Sequence, residues 1–153
     1  MIKKFVRHIS SLGTIFFSLV LALFTYLNGQ EQLSIKLFLM ILITTAIGLS
    51  IKFFYKKHRP DFDPKKRFDQ IWPINKVVQV DEESFPSLHA ARSAGLLVVL
   101  GSYFTGFYVQ FFLAILTFAV CISRVYLKRH YIEDVAAGVI LGLLVGFGVL
   151  FLI

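Results

Sequence analysis

SAGLLVVLGSYFTGFYVQFFLAILTFAVCIS, running from Ser93 to Ser123, contains no charged side chain. One crossing of a ~30 Å hydrocarbon layer takes ~20 residues, so this run is too long for one helix and long enough for two. Gly101-Ser-Tyr-Phe-Thr-Gly106 lies at its middle and breaks it. The spacing therefore predicts two helices, over 86–104 and 107–127. A strand reading would require a closed barrel in lipid, and the alternation with period two that a barrel needs is absent.

Three further apolar runs lie outside this pair. Residues 9–27 form an uncharged run behind Lys3, Lys4 and Arg7. This looks like a secretory signal, but its apolar part is long and Leu27-Asn28-Gly29-Gln30 is a poor cleavage site, so we read a retained first helix. Residues 33–54 form the second span, with Lys36 near its start able to snorkel. Residues 131–153 form the last. The 55–85 connection is charged and carries Pro60, Pro64 and Pro73, which suits an interfacial loop rather than a span. Trp72 and Phe62 are its expected interfacial aromatics. The expectation is an all-α integral membrane bundle of about five transmembrane helices, a single domain over 1–153. The 57% hydrophobic content and mean hydropathy of +0.74 exceed what a soluble core of this length would use.

The net charge of +7 would suggest nucleic acid in a soluble protein. Here the cations cluster at helix ends, which favours anionic lipid head groups or a phosphorylated substrate and argues against nucleic acid. Of the 16 Lys and Arg, all but Lys36 fall on one side of the bundle or in its first turns. The positive-inside rule then puts that face, with the N-terminus, in the cytoplasm. Cys121, the single cysteine, sits in an apolar run and reads as a small packing residue. Gly138, Gly142 and Gly146 recur every four residues on the last span, which suits close helix packing within the chain or, alternatively, a homodimer seam.

Three polar patches sit where apolar runs begin or end on that same face. The first is Lys52 with Arg59-Pro60, the second Pro86-Ser87-Leu88-His89, and the third Ser123-Arg124 with His130 and Asp134. His130 and Asp134 are four apart, a spacing that lets both point from one helix face. A carboxylate bonded to one imidazole nitrogen fixes the tautomer and leaves the other nitrogen nucleophilic; a surface histidine capped by a nearby acid is the plainer alternative. His89 stands at a helix entry, where free backbone N–H groups favour an anion and an imidazole can protonate a leaving oxygen. Lys52, Arg59 and Arg124 supply fixed positive charge of the kind that stabilises a phosphoryl group in flight. The plainer reading of Lys52 and Arg59 is a snorkelling cluster with Lys56 and Lys57. An arginine at position 124, near the end of an apolar helix, is costly without a partner or a function. Arg92 is a candidate for contact with the substrate or with the site residues.

In order and spacing, the three patches resemble the phosphatidic acid phosphatase type 2 superfamily, whose soluble branch includes acid phosphatases and vanadium haloperoxidases. The resemblance covers about residues 52–142. It implies a metal-independent lipid phosphatase with no cofactor, acting on a lipid phosphate at the bilayer. His130 would be the nucleophile that forms a phosphohistidine, Asp134 its orienting partner and His89 the general acid. Lys52, Arg59, Ser87, Leu88 and Arg124 would cradle the phosphate. The chain departs from the family at Leu88, where the usual residue is glycine. That change could narrow the pocket or bias the chemistry toward transfer, since Pro-Ser-Leu-His also occurs in lipid head-group transferases of the superfamily. It also departs in length, because membrane members commonly have six spans. Ser84-Phe-Pro-Ser-Leu-His-Ala-Ala-Arg-Ser-Ala94 and Ser123-Arg-Val are most similar to the polyisoprenoid diphosphate phosphatase branch, whose site faces the cytoplasm. A lipid head-group phosphotransferase and a non-catalytic anionic-lipid-binding protein are the two rival functions.

Overall fold

The structure is a computed structural model that describes residues 2–61 and 83–152. The expected interfacial aromatics Phe62 and Trp72 lie outside the described residues. The described residues form six helices and no strand: α1 (Ile2–Ser11), α2 (Ile15–Leu27), α3 (Glu31–Tyr55), α4 (Leu88–Tyr103), α5 (Phe107–Tyr126) and α6 (Ile132–Leu152). The break predicted at 101–106 is present, between α4 and α5.

α4 is the axis of the bundle. It packs most extensively on α6, then on α5 and α3, and it touches α2. Almost every residue from Leu88 to Leu100 is buried. Around it, α3, α5 and α6 are long and apolar enough to cross a membrane, and α1 with α2 make a fourth candidate if the bent pair is one span. α4 itself has 16 residues, about 24 Å of helix. It falls short of full bilayer length, and the surrounding helices enclose it. The outer helices turn large apolar side chains outward, among them Phe16, Leu23, Phe38, Phe112, Phe118 and Leu144. Water would not tolerate so much exposed apolar surface, whereas lipid tails do. The inward faces are small and polar instead. The Ser34 hydroxyl donates across to Ala22 O at 2.8 Å, and the Thr117 hydroxyl to Ser93 O at 3.2 Å. Such interhelical bonds hold helices together where no hydrophobic drive separates protein from solvent. The protein is thus an all-α, multi-pass membrane bundle.

One expectation is corrected. The first span is not one straight helix over 9–27, because α1 and α2 meet at a bend of 51°. Thr14 starts α2 as its N-cap, with its hydroxyl accepting from Phe17 N at 3.2 Å. Gly13 is wedged so tightly that a Cβ there would stand 2.9 Å from His89 O. Gly138, Gly142 and Gly146 follow the first of the two readings of their spacing, close packing within the chain, because α4 fills their face. A Cβ at Gly138 would lie 2.4 Å from Ser87 O, and one at Gly142 would lie 2.0 Å from Ala91 O. No side chain fits between these backbones. Gly142→Ala is expected to force α4 and α6 apart and to destabilise the bundle by about 1–3 kcal/mol, read as a lowered thermal midpoint in detergent.

Candidate active site

One end of the bundle gathers three stretches that are remote in sequence. α3 ends at Tyr55 with Lys56 in a left-handed conformation (φ 41°), which turns Lys57, His58 and Arg59 back across the bundle end. Residues 83–87 run in without helix and deliver α4. α5 carries Arg124 in its last turn, and Lys128 (φ 55°) turns the chain so that His130 points inward before α6 begins. Cross-links stitch these pieces together. Ser84 N donates to Lys57 O at 2.7 Å, Ser87 N to Asp134 O at 2.9 Å, and Lys52 Nζ to Glu83 O at 2.6 Å.

His130 is buried at their meeting point. Its Nδ1 lies 2.7 Å from Ser84 O. A carbonyl only accepts, so Nδ1 carries the proton and Nε2 keeps its lone pair. Nε2 lies 3.4 Å from Arg124 Nη2. Arg59, Lys52 and Arg124 all act electrostatically on the imidazole, and His89 lies within electrostatic reach of His130, Arg59, Arg92 and Arg124. Burial first, and then the guanidinium groups of Arg124 and Arg59, push the His130 imidazole down to about 2, against the pull of the Ser84 carbonyl. A depressed pKa leaves the ring neutral above it. Imidazole NMR of the unliganded protein is therefore expected to show the neutral Nδ1–H form throughout roughly pH 5–8. A titration centred at the ordinary 6.5 would contradict this arrangement.

The other expected residues fall as follows. Ser87 is fully buried at the N-cap of α4, and its hydroxyl has no partner among the described residues. A buried hydroxyl without a bond is expensive unless a ligand completes it, and it stands beside the open N–H groups of the first α4 turn. Lys52 is buried with its ammonium donating to the Glu83 carbonyl, and Arg59 is half-buried. Arg92 is buried and donates through Nε to Leu88 O at 3.2 Å. It lies one turn into α4, below His89.

The direct bond expected between Asp134 and His130 is absent. His130 precedes α6 and is not on the helix, so the four-residue spacing does not bring the two side chains together. The Asp134 carboxylate, fully buried, instead accepts from the Ser84 hydroxyl at 2.5 Å, from Tyr131 N at 2.9 Å and from Lys57 Nζ at 2.6 Å. Its bond to Tyr131 N closes the first turn of α6 as a reach-back cap. Its bond to Ser84 fixes the residue whose carbonyl holds the imidazole. Asp134 thus positions His130 through Ser84.

Ser84 and Lys57 were not singled out as site residues by sequence reasoning. Lys57 read as one of a juxtamembrane cluster, yet it bonds both Asp134 and Glu133 and lies 4.6 Å over the Tyr131 ring. Burial lowers the Lys57 pKa, but the bonds to and charges of Asp134 and Glu133 together raise it, so the ammonium stays charged.

The Leu88 side chain packs against α3, where a Cβ on Gly48 would fall 2.2 Å from Leu88 Cδ2. The missing side chain at Gly48 makes room for the one at 88. Leu88→Ala is accordingly expected to cost about 2–5 kcal/mol of stability, as buried leucine truncations do. Turnover measured below the lowered midpoint should stay near the parent value.

Among the described residues no group of three or more His, Cys, Asp and Glu is placed to hold a metal ion.

The sequence profile of the PAP2 superfamily matches residues 33–152. A lipid A 4'-phosphatase from Bacteroides thetaiotaomicron is 41% identical over 64 residues, which cover 42% of this chain and 27% of that protein, so the chain matches about a quarter of the relative's length. Two solved structures share the fold. LpxE of Aquifex aeolicus superposes with a TM-score of 0.78 at 24% identity, over 98% of this chain and 86% of that one. A transmembrane PAP2-type phosphatidylglycerolphosphate phosphatase from Bacillus subtilis gives 0.75 at 24% identity, over 99% and 76%.

Proposed function

The chain belongs to the PAP2 superfamily, and from that premise we propose that it is a lipid phosphatase, hydrolysing a phosphomonoester or diphosphate of a membrane lipid through a phosphohistidine on His130. One observation carries this reading: a buried imidazole whose Nδ1 is tied to Ser84 O presents its Nε2 lone pair beside the Arg124 guanidinium. An anion-binding surface alone requires no such tautomer.

In the proposed reaction the phosphate lies against Arg124, Arg59, Lys52, the Ser87 hydroxyl and the first N–H groups of α4. His130 Nε2 attacks phosphorus, the N–P bond forms and the P–O bond to the lipid breaks. His89, which takes up a proton as the phosphate dianion binds beside it, gives that proton to the departing oxygen. Water then attacks the phosphohistidine, His89 takes a proton from it, and the N–P bond breaks to release inorganic phosphate and the free imidazole. The fixed cations match charge that spreads over the phosphoryl oxygens, so a metal ion has no assigned step.

An apolar cavity of about 210 Å³ between α2, α4 and α5 supports a lipid substrate. Leu12, Ser93 and Val120 line its near end, beside His89, while Leu21, Leu100 and Leu113 line the rest. Ser93 lies one helical turn along α4 from His89, so a cavity that it lines suits the hydrocarbon tail of a group leaving beside the general acid. The substrate itself is proposed as a class. The resemblance at 84–94 favours a prenyl diphosphate, while the relatives' names speak of lipid A and phosphatidylglycerolphosphate. With Lys3, Lys4 and Arg7 at the same end as the site, the positive-inside rule supports a cytoplasmic-facing pocket.

The deciding experiment measures inorganic phosphate released from prenyl diphosphate, phosphatidate, phosphatidylglycerophosphate and lipid A in micelles, with a chelator and without an alcohol acceptor. Release from at least one of them, undiminished by the chelator, is expected. Product formed only when an alcohol is supplied would mean transfer, and no turnover on any would mean a binding protein.

A further inference from the structure

α1 is apolar on the side it leaves open. Ile2 and Phe5 are 68% and 66% exposed, three apart on one face, with Val6 and Ile9 half-buried beside them, while Lys3, Lys4 and Arg7 carry its charge. The one buried residue of this helix is a serine, Ser10. Its hydroxyl accepts from Arg124 Nη1 at 2.6 Å, a buried contact between residues 114 apart in sequence. α1 packs on α5, the helix that carries Arg124, and meets α2 at 51°, with Gly13 of the elbow pressed on the His89 carbonyl. An amphipathic helix that buries a serine on a site arginine and leaves its phenylalanine outside needs another surface for its apolar stripe. At this end of the bundle that surface is the head-group layer, which takes apolar side chains a few ångströms deep and attracts lysine and arginine when its lipids are anionic.

We propose that α1 is a membrane-seated latch on the phosphate site. Bound to an anionic bilayer surface, it holds the Ser10 hydroxyl against Arg124 and sets that guanidinium for the phosphate, so phosphate handling responds to lipid charge through Ser10. The proposal rests on the reading of Arg124 as a phosphate ligand. Ser10 is a positioning residue: it touches Arg124, which touches the phosphate.

The test uses the full chain in nanodiscs of phosphatidylcholine alone or mixed with phosphatidylglycerol. Two readouts are taken: kcat and KM for a short-chain, water-soluble lipid phosphate, and the calorimetric affinity for inorganic phosphate. For the parent chain, kcat/KM and phosphate affinity should rise several-fold on the anionic discs and lose that gain in high salt. Ser10→Ala should lower both about tenfold on the anionic discs, the size of a lost bond to a charged group, and remove the response to lipid charge. Ser10→Thr, which restores a hydroxyl, should recover both. Lys3→Gln with Lys4→Gln and Arg7→Gln should keep the activity seen on phosphatidylcholine and lose only the response.

A Ser10→Ala protein equal to its parent, or still responding to lipid charge, would overturn the latch. So would a Ser10→Thr protein as impaired as Ser10→Ala, since that would mean packing alone. A parent chain without turnover whose phosphate affinity still follows this pattern would refute the phosphatase reading and leave the latch standing.

Discussion

His130→Ala is expected to lower phosphate release by at least about 10⁴-fold, the scale seen when a covalent nucleophile is removed. The reason lies in how much of the site converges on one atom. Ser84 O holds Nδ1 and Arg124 stands at Nε2, so the lone pair is aimed before substrate arrives. Alanine keeps the cations and loses the only nitrogen so placed. What remains is electrostatic assistance to a direct attack by water. The accompanying measurement is a labelled phosphoryl group on the protein, quenched during turnover. The parent should carry an acid-labile phosphoryl–nitrogen adduct and His130→Ala none, with both chains eluting as the same folded species. Turnover within tenfold of the parent would remove the covalent mechanism altogether.

The second large effect belongs to His89. It enters the site on the first turn of α4. General acid catalysis contributes about 10²–10⁴-fold, and it matters most when the leaving oxygen is a poor one. His89→Ala should therefore lose about 10³-fold on an alkyl lipid phosphate. It should lose far less in the first step on p-nitrophenyl phosphate, whose phenolate leaves without a proton. Because the same imidazole serves as base for water in the second step, the variant given the activated ester should accumulate the phosphohistidine that the parent turns over too quickly to hold. Equal losses on the two esters, with no accumulation, would mean that His89 only shapes the pocket.

Both predictions concern residues visible in the sequence, because each patch is marked by local chemistry. A histidine after Pro86-Ser87 at a helix entry, and an arginine at the end of an apolar helix, need only neighbouring residues to be noticed. What those residues bond to was less visible. The four-residue interval between His130 and Asp134 suggested a direct pair. That rule holds on one helix face, and His130 sits before α6, where Lys128 has turned the chain. The bond went to Ser84, 46 residues away. The same limit applies to Leu88, whose direction depends on a glycine in α3, and to Lys57, whose partners lie on α6. Ser10 left no signal at all, because a lone serine in an amphipathic stretch looks like any solvated hydroxyl.

Hydropathy and bilayer thickness act residue by residue along the chain. For that reason composition and run length were enough to establish a membrane helix bundle and the break between α4 and α5. Which side chain meets which at that depth is a matter of segments tens of residues apart packing at ångström tolerance. No local period encodes it. The glycine face closed by α4, the Ser84 bridge between Asp134 and His130, and the serine of α1 on Arg124 exist only once the helices have closed around α4.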